Sequence, residues 1–160
     1  MYRSAFFALA AAVVAQPGLG APAEAPTAIG FWVTPNHGAV VHIVACDSGL
    51  CGYLVGLRTD HEPGEMPRDA HNPDPALRSE LLCGRAIMGS LKPAKDSPTK
   101  WEGGWVYDPA SGNTYTAEMR LDGGDRLKLR GYLGISLFGR SETWQRERDT
   151  NNRCALPPAG

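Results

Sequence analysis

The fold this sequence predicts is all-β: a single domain built as an eight-stranded antiparallel up-and-down barrel. Three observations predict it. Between Thr114 and Leu121 the residues alternate, with Tyr115, Ala117, Met119 and Leu121 on one face and Thr114, Thr116, Glu118 and Arg120 on the other. A period of two marks a half-buried strand. The pattern repeats from Arg126 to Arg130, where Leu127 and Leu129 fall between Arg126, Lys128 and Arg130. The intervening segments, Asp108 to Asn113 and Asp122 to Asp125, carry the Gly, Asp, Asn and Pro residues that tight hairpin turns require. Strands joined by links of hairpin length reach a count of eight, and closure removes the exposed edges an open sheet would leave. A two-sheet β-sandwich uses the same strands and is the alternative.

Residues 1–23 have the plan of a cleaved signal peptide. Arg3 supplies the positive start, Ala5 to Ala15 the apolar run, and Ala21-Pro22-Ala23 the small residues of a cleavage site. The apolar run is too short to cross about 30 Å of hydrocarbon as a helix. The expected mature protein starts near Glu24, makes no stable membrane insertion, and is periplasmic or secreted. Residues 24–29 are a Pro- and Ala-rich lead-in, residues 30–154 the barrel domain, and residues 155–160 a tail.

Within the domain, Gly30-Phe31-Trp32-Val33 is the first strand, ended by the turn at Pro35 to Gly38. Ala39 to Cys46 is the second and Gly52 to Leu57 the third, with Asp47-Ser48-Gly49-Leu50 as the hairpin between them. Arg58 to Glu80 breaks the rhythm, being rich in Pro, Asp and His. One helical turn is expected there after Asn72 or Asp74, with Pro75 in the first helical position. Loops of this length are often functional. Leu81 to Ser90 reads as the fourth strand and Lys92 to Lys100 as a polar connection. The last four strands lie between Trp101 and Arg146.

A formal net charge of −1 and the lack of a basic stripe argue against a nucleic-acid partner. Cys46, Cys51, Cys83 and Cys154 all lie in the expected exported part, and an even count in an oxidising compartment implies two disulfides. Of three possible pairings, Cys46 with Cys51 would pin a hairpin and Cys83 with Cys154 would tie the C-terminal tail to the body. A redox or metal role for Cys46 and Cys51 lacks the Cys-x-x-Cys spacing such sites use.

Several ordered motifs resemble a family. They are Gly30-x-Trp32, the Cys46 to Cys51-Gly52 hairpin, Asn72-Pro73-Asp74 with Arg78, Tyr107-Asp108-Pro109, Gly112-x-x-Tyr115, Leu129-Arg130-Gly131-Tyr132-Leu133-Gly134 and Trp144-x-Arg146. Together they resemble domain-of-unknown-function family 2147, small exported proteins of Gram-negative bacteria. That resemblance implies export and a lipocalin-like barrel, and implies no activity. Cys83 and Cys154 are additions to the family's pattern. A second resemblance, to lipocalins and other calycins, implies that Gly30 and Trp32 on the first strand lie under Arg146 from the last, with Trp144 beside them, as a structural plug at one end.

The leading functional expectation is a monomer that binds a small apolar or amphipathic molecule inside the barrel. Candidate lining residues are Trp101, Trp105, Tyr107, Tyr115, Met119, Leu127 and Leu129. The bland alternative is that they only fill the core. Gly103, Gly104, Gly131 and Gly134 either bend strands or open room for a ligand. An enzyme is the second reading, resting on Asp60, His61, Glu62, Asp69, His71 and Asp74, whose spacing matches no metal motif and which suit solvated or turn-capping roles. His37 and His42 have no Ser, Cys or Asp at a telling spacing, and Ser111 and Ser141 sit in no nucleophile elbow. An envelope interaction module using Arg58 to Glu80 is the third. No catalytic residue, metal or cofactor is implied.

Overall fold

Eight strands follow one another around a closed antiparallel barrel: β1 (Gly30–Val33), β2 (Ala39–Cys46), β3 (Gly49–Leu57), β4 (Ala86–Ala94), β5 (Ser97–Asp108), β6 (Asn113–Asp122), β7 (Arg126–Tyr132) and β8 (Arg140–Arg146). Each pairs with its sequence neighbours, and β8 returns to β1 through Trp32 with Arg146 and Val33 with Gln145. This computed structural model describes residues 27–35, 38–57, 67–148 and 154. The expected signal peptide and C-terminal tail lie outside the described residues, as do residues 24–26 and the first part of the long excursion. The barrel, rather than the sandwich, is the architecture, and it leaves no free sheet edge among the described strands.

The inward faces make one core. Trp32, Val41, Ile43, Met88, Leu91, Ala117, Met119, Leu127 and Trp144 are each at most 2 % exposed within it. A smaller cluster of Val33, Val40 and Val55, with Phe31 and Tyr53, is separate from this core. Alternation produces both, since Val40 and Val41 on β2 point to opposite faces and fall in different clusters.

Three boundaries differ from those expected. β3 starts at Gly49, because the β2–β3 turn needs only Asp47 and Ser48 and Cys46 already pairs with Gly49. β4 starts at Ala86 instead of Leu81, and Leu81 makes an isolated bridge with Arg68. Lys92 to Lys100 is not a connection: β4 and β5 run on through it to the Ala94–Ser97 pair, leaving Lys95 and Asp96 as the turn. Pro93 and Pro98 hid this, and they flank the point where the β4–β5 ladder becomes irregular.

β5 also carries a bulge that decides which way its aromatic residues face. Trp101 opposes Met119 and Gly104 opposes Ala117, so Glu102 and Gly103 together oppose Glu118. Gly103 takes φ +73°, where a side chain is strained. The extra residue reverses the alternation beyond it. Val106 therefore shares the inward face of its partners Met88 and Tyr115, whereas Trp105 pairs with Gly89 and Thr116 on the outside.

The described part of the excursion, residues 67–85, packs against β5. Its 3-10 turn spans Pro75–Leu77, with the Asp74 carboxylate accepting from the Ala76 N–H as N-cap. Both expected disulfides are present. Cys46 and Cys51 lie 5.9 Å apart at Cα across the β2–β3 hairpin. Cys83 and Cys154 lie 6.1 Å apart, and the Cys154 N–H donates to the Val55 carbonyl.

Candidate functional site

The two ends of the barrel differ. One end is plugged: the Arg146 guanidinium carbon sits 4.2 Å from the centre of the Trp32 ring, and Trp32 Nε1 donates to the Ala28 carbonyl at 2.8 Å. Arg146 donates to three further carbonyls, Gly124, Ile29 and Thr27, at 2.6, 3.1 and 2.6 Å. These bonds tie the lead-in and the β6–β7 turn to the last strand. Its Nη1 lies 2.8 Å from where a Cβ on Gly30 would stand, so a side chain there would displace the plug. Desolvation lowers the Arg146 pKa, yet the group stays a cation at any physiological pH.

The other end opens into a cavity of about 640 Å³. Its walls are Leu54, Ile87, Val106, Tyr115, Leu129, Gly131 and Trp144, and its rim includes Thr34, Tyr107, Asp108, Pro109, Tyr132, Leu133, Phe138 and Arg140. The volume falls within the range of small-molecule sites. β8 grades this interior along its inward row. Arg140 and Glu142 lie in the open half, Trp144 follows at 2 % exposure, and Arg146 closes the far end. Glu142 Oε2 accepts from Trp144 Nε1 at 3.0 Å. The cavity is thus apolar in its depth and carries Asp108, Glu142 and Arg140 toward the mouth.

Of the seven lining candidates, Tyr107, Tyr115 and Leu129 border this cavity. Met119 and Leu127 instead fill the core, at 1 % and 0 % exposure. Trp101 faces in beside Met119 and packs on the core without reaching the cavity. Trp105 lies outside, with its indole 3.1 Å from where a Cβ on Gly89 would stand. Placing Trp105 on the lining is corrected by the Gly103 bulge, which brought Val106 into the wall in its stead. Strict alternation along β5 could not reveal that exchange. Gly131 opens room in the wall, whereas Gly104 packs against Leu91.

Tyr107 has a second attachment. Its hydroxyl donates to Asp69 Oδ1 at 2.5 Å, and Asp69 is fully buried. Asn72 Nδ2 donates to Asp69 Oδ2 at 2.6 Å and Arg85 Nε approaches the same oxygen at 3.1 Å. Arg78 Nε donates to the Asn72 carbonyl. The carboxylate thus has the partners burial requires, and the cluster clamps the excursion to β5. Burial first, then the bond to Asp69 and its charge, push the Tyr107 hydroxyl up to about 12. A raised native pKa means the folded state holds this proton more tightly than the unfolded chain. The stabilisation is complete below pH 10 and is lost as pH rises toward 12. Phenolate absorbance should therefore show a late-titrating step from Tyr107, and Tyr107→Phe should delete that step and flatten the alkaline fall in stability. A late step that survives the substitution would refute the assignment.

Of the enzyme candidates, Asp69 and Asp74 hold structural bonds, His71 is exposed, and Asp60, His61 and Glu62 lie outside the described residues, as does His37. Among the described residues, no three His, Cys, Asp or Glu side chains group as a metal site, and no helix is long and apolar enough to cross a membrane.

Comparison with known proteins agrees with this architecture. The solved structure of protein HP1028 from the human pathogen Helicobacter pylori, which belongs to the lipocalin family, is similar with a TM-score of 0.66. It shares 21 % identity over 78 % of this chain and 85 % of its own. At that identity the likeness concerns the fold. No curated protein matches. The pattern of the family described as "Uncharacterized protein conserved in bacteria (DUF2147)" matches residues 30–146, from the start of β1 to the end of β8. The chain is a lipocalin-like barrel and belongs to the bacterial family DUF2147.

Proposed function

We propose that this protein is an exported carrier or scavenger that reversibly binds a small apolar or amphipathic molecule inside the barrel. The observation that carries the reading is the cavity of about 640 Å³, closed at the Arg146 end and walled by apolar side chains. Such a space suits an alkyl or ring system, and Arg140 and Glu142 near the mouth suit a polar head. The fold of the Helicobacter protein supports the same reading, as lipocalins of this size hold one small ligand. Two disulfides are compatible with an oxidising compartment and support export, with the mature chain starting near Glu24.

A dansyl-labelled fatty acid tests the site. The wild type should bind it with enhanced fluorescence, and Val106→Trp, which fills the cavity from its wall, should weaken binding about tenfold or more while leaving the fold intact. Native mass spectrometry of protein purified without detergent would identify any retained molecule and read the mature mass. Equal probe binding by wild type and Val106→Trp would place the ligand elsewhere. No binding by the wild type, together with a ligand-free mass, would end the proposal.

A further inference from the structure

The link between β7 and β8 is the most apolar exposed segment among the described residues. In Leu133-Gly134-Ile135-Ser136-Leu137-Phe138, the four large side chains are 69 %, 59 %, 77 % and 78 % exposed in chain order. Exposed apolar groups concentrated in this way mark a contact surface. The segment belongs to the open end of the barrel, and Leu133 and Phe138 border the cavity mouth.

Its backbone is unusually well provided for. Arg130 Nε donates to the Ser136 carbonyl at 2.8 Å, its Nη2 donates to the Ser136 and Leu137 carbonyls, and its Nη1 reaches Ser141 Oγ at 2.9 Å. The Phe138 and Gly139 N–H groups donate to the Ile135 and Ser136 carbonyls, and the Ser136 hydroxyl donates to Glu118. The segment is therefore a braced prong, with many of its polar groups turned back to the barrel and its apolar side chains turned out. Entering hydrocarbon is costly for unpaired backbone groups, and this bracing reduces that cost. Between Gly131 and Ser141 Arg140 is the one charged residue, and no acidic residue occurs. A convex apolar tip beside a cation fits a fluid anionic surface, which needs no shape complementarity.

We propose that residues 133–138 dock this protein peripherally on an anionic lipid bilayer, with Leu137 and Phe138 entering the interface and Arg140 meeting the headgroups. Docking would bring the cavity mouth to the surface from which an apolar ligand could transfer without crossing water. The proposal stands on the prong and not on occupancy of the cavity.

The test uses protein expressed from its full sequence and purified as the cell processes it. It is sedimented with phosphatidylglycerol–phosphatidylethanolamine vesicles and with neutral phosphatidylcholine vesicles. The wild type should co-sediment with the anionic vesicles, and Leu137→Asp and Ile135→Asp should each weaken this about tenfold or more. Neither residue borders the cavity, so binding of the dansyl fatty acid should be unchanged in both. That readout separates failure of docking from failure of the carrier reading. Wild-type protein that stays in the supernatant, or variants that sediment like the wild type, would overturn the proposal. So would sedimentation-velocity evidence that the prong pairs two copies of the chain without binding vesicles.

Discussion

Trp32→Ala should lower the stability of the fold by about 3–5 kcal/mol, the range for removing a fully buried large aromatic side chain. Trp32 is 0 % exposed and is part of the core that closes one barrel end. Its loss would remove the surface on which Arg146 stacks at 4.2 Å and free the Ala28 carbonyl that its indole satisfies. Arg146→Lys should cost less, about 1–2 kcal/mol, because a lysine keeps the charge but cannot span the Gly124, Ile29 and Thr27 carbonyls with a planar fork. Urea unfolding curves measure both. A loss below about 1 kcal/mol for Trp32→Ala would mean that the plug does not hold the barrel closed. The ordering matters as much as the size, since a surface ion pair would show the reverse.

Removing the Cys83–Cys154 bridge by replacing both residues with serine should cost about 4 kcal/mol, against about 2 kcal/mol for the equivalent change at Cys46 and Cys51. The difference comes from the unfolded chain. The first bridge joins residues 71 apart in sequence and the second joins residues 5 apart, so the first excludes far more unfolded conformations. The Cys46–Cys51 hairpin is also held by strand pairing on both sides, from Val44 with Cys51 to Cys46 with Gly49. Denaturant midpoints of the two double variants decide the matter, and equal losses would show that native contacts, not loop closure, set the value. Reduction of the wild type should approach the sum of the two effects.

Local patterning made most of the fold legible. Alternation in β6 and β7 placed Met119, Leu121, Leu127 and Leu129 inward, where they pack. Gly30, Trp32 and Arg146 were legible as a plug because their roles depend on residue type at strand ends, whereas Trp144, expected beside them, borders the cavity. Asp74 was legible as a cap for a similar reason. The candidate site was only partly legible. Tyr107, Tyr115 and Leu129 border the cavity, but Val106 entered its wall and Trp105 left through a bulge at Gly103, where sequence leaves open whether a strand glycine bends the chain or makes room. The strand ends around Pro93 and Pro98 were hidden by composition that ordinarily signals a loop.

Sequence by itself determined the β class, the strand count, the inward rows of β6 and β7, the cysteines available for bridging and the family, because each is a property of short segments and residue types. Tertiary structure alone decided the register of β5, the partnership of Asp69 with Tyr107 across 38 residues, the bracing of the apolar prong by Arg130, and the existence of the cavity. A cavity is the volume left when inward side chains from all eight strands fail to meet. That remainder depends on how each bulge rotates its strand against its neighbours, which no single segment encodes.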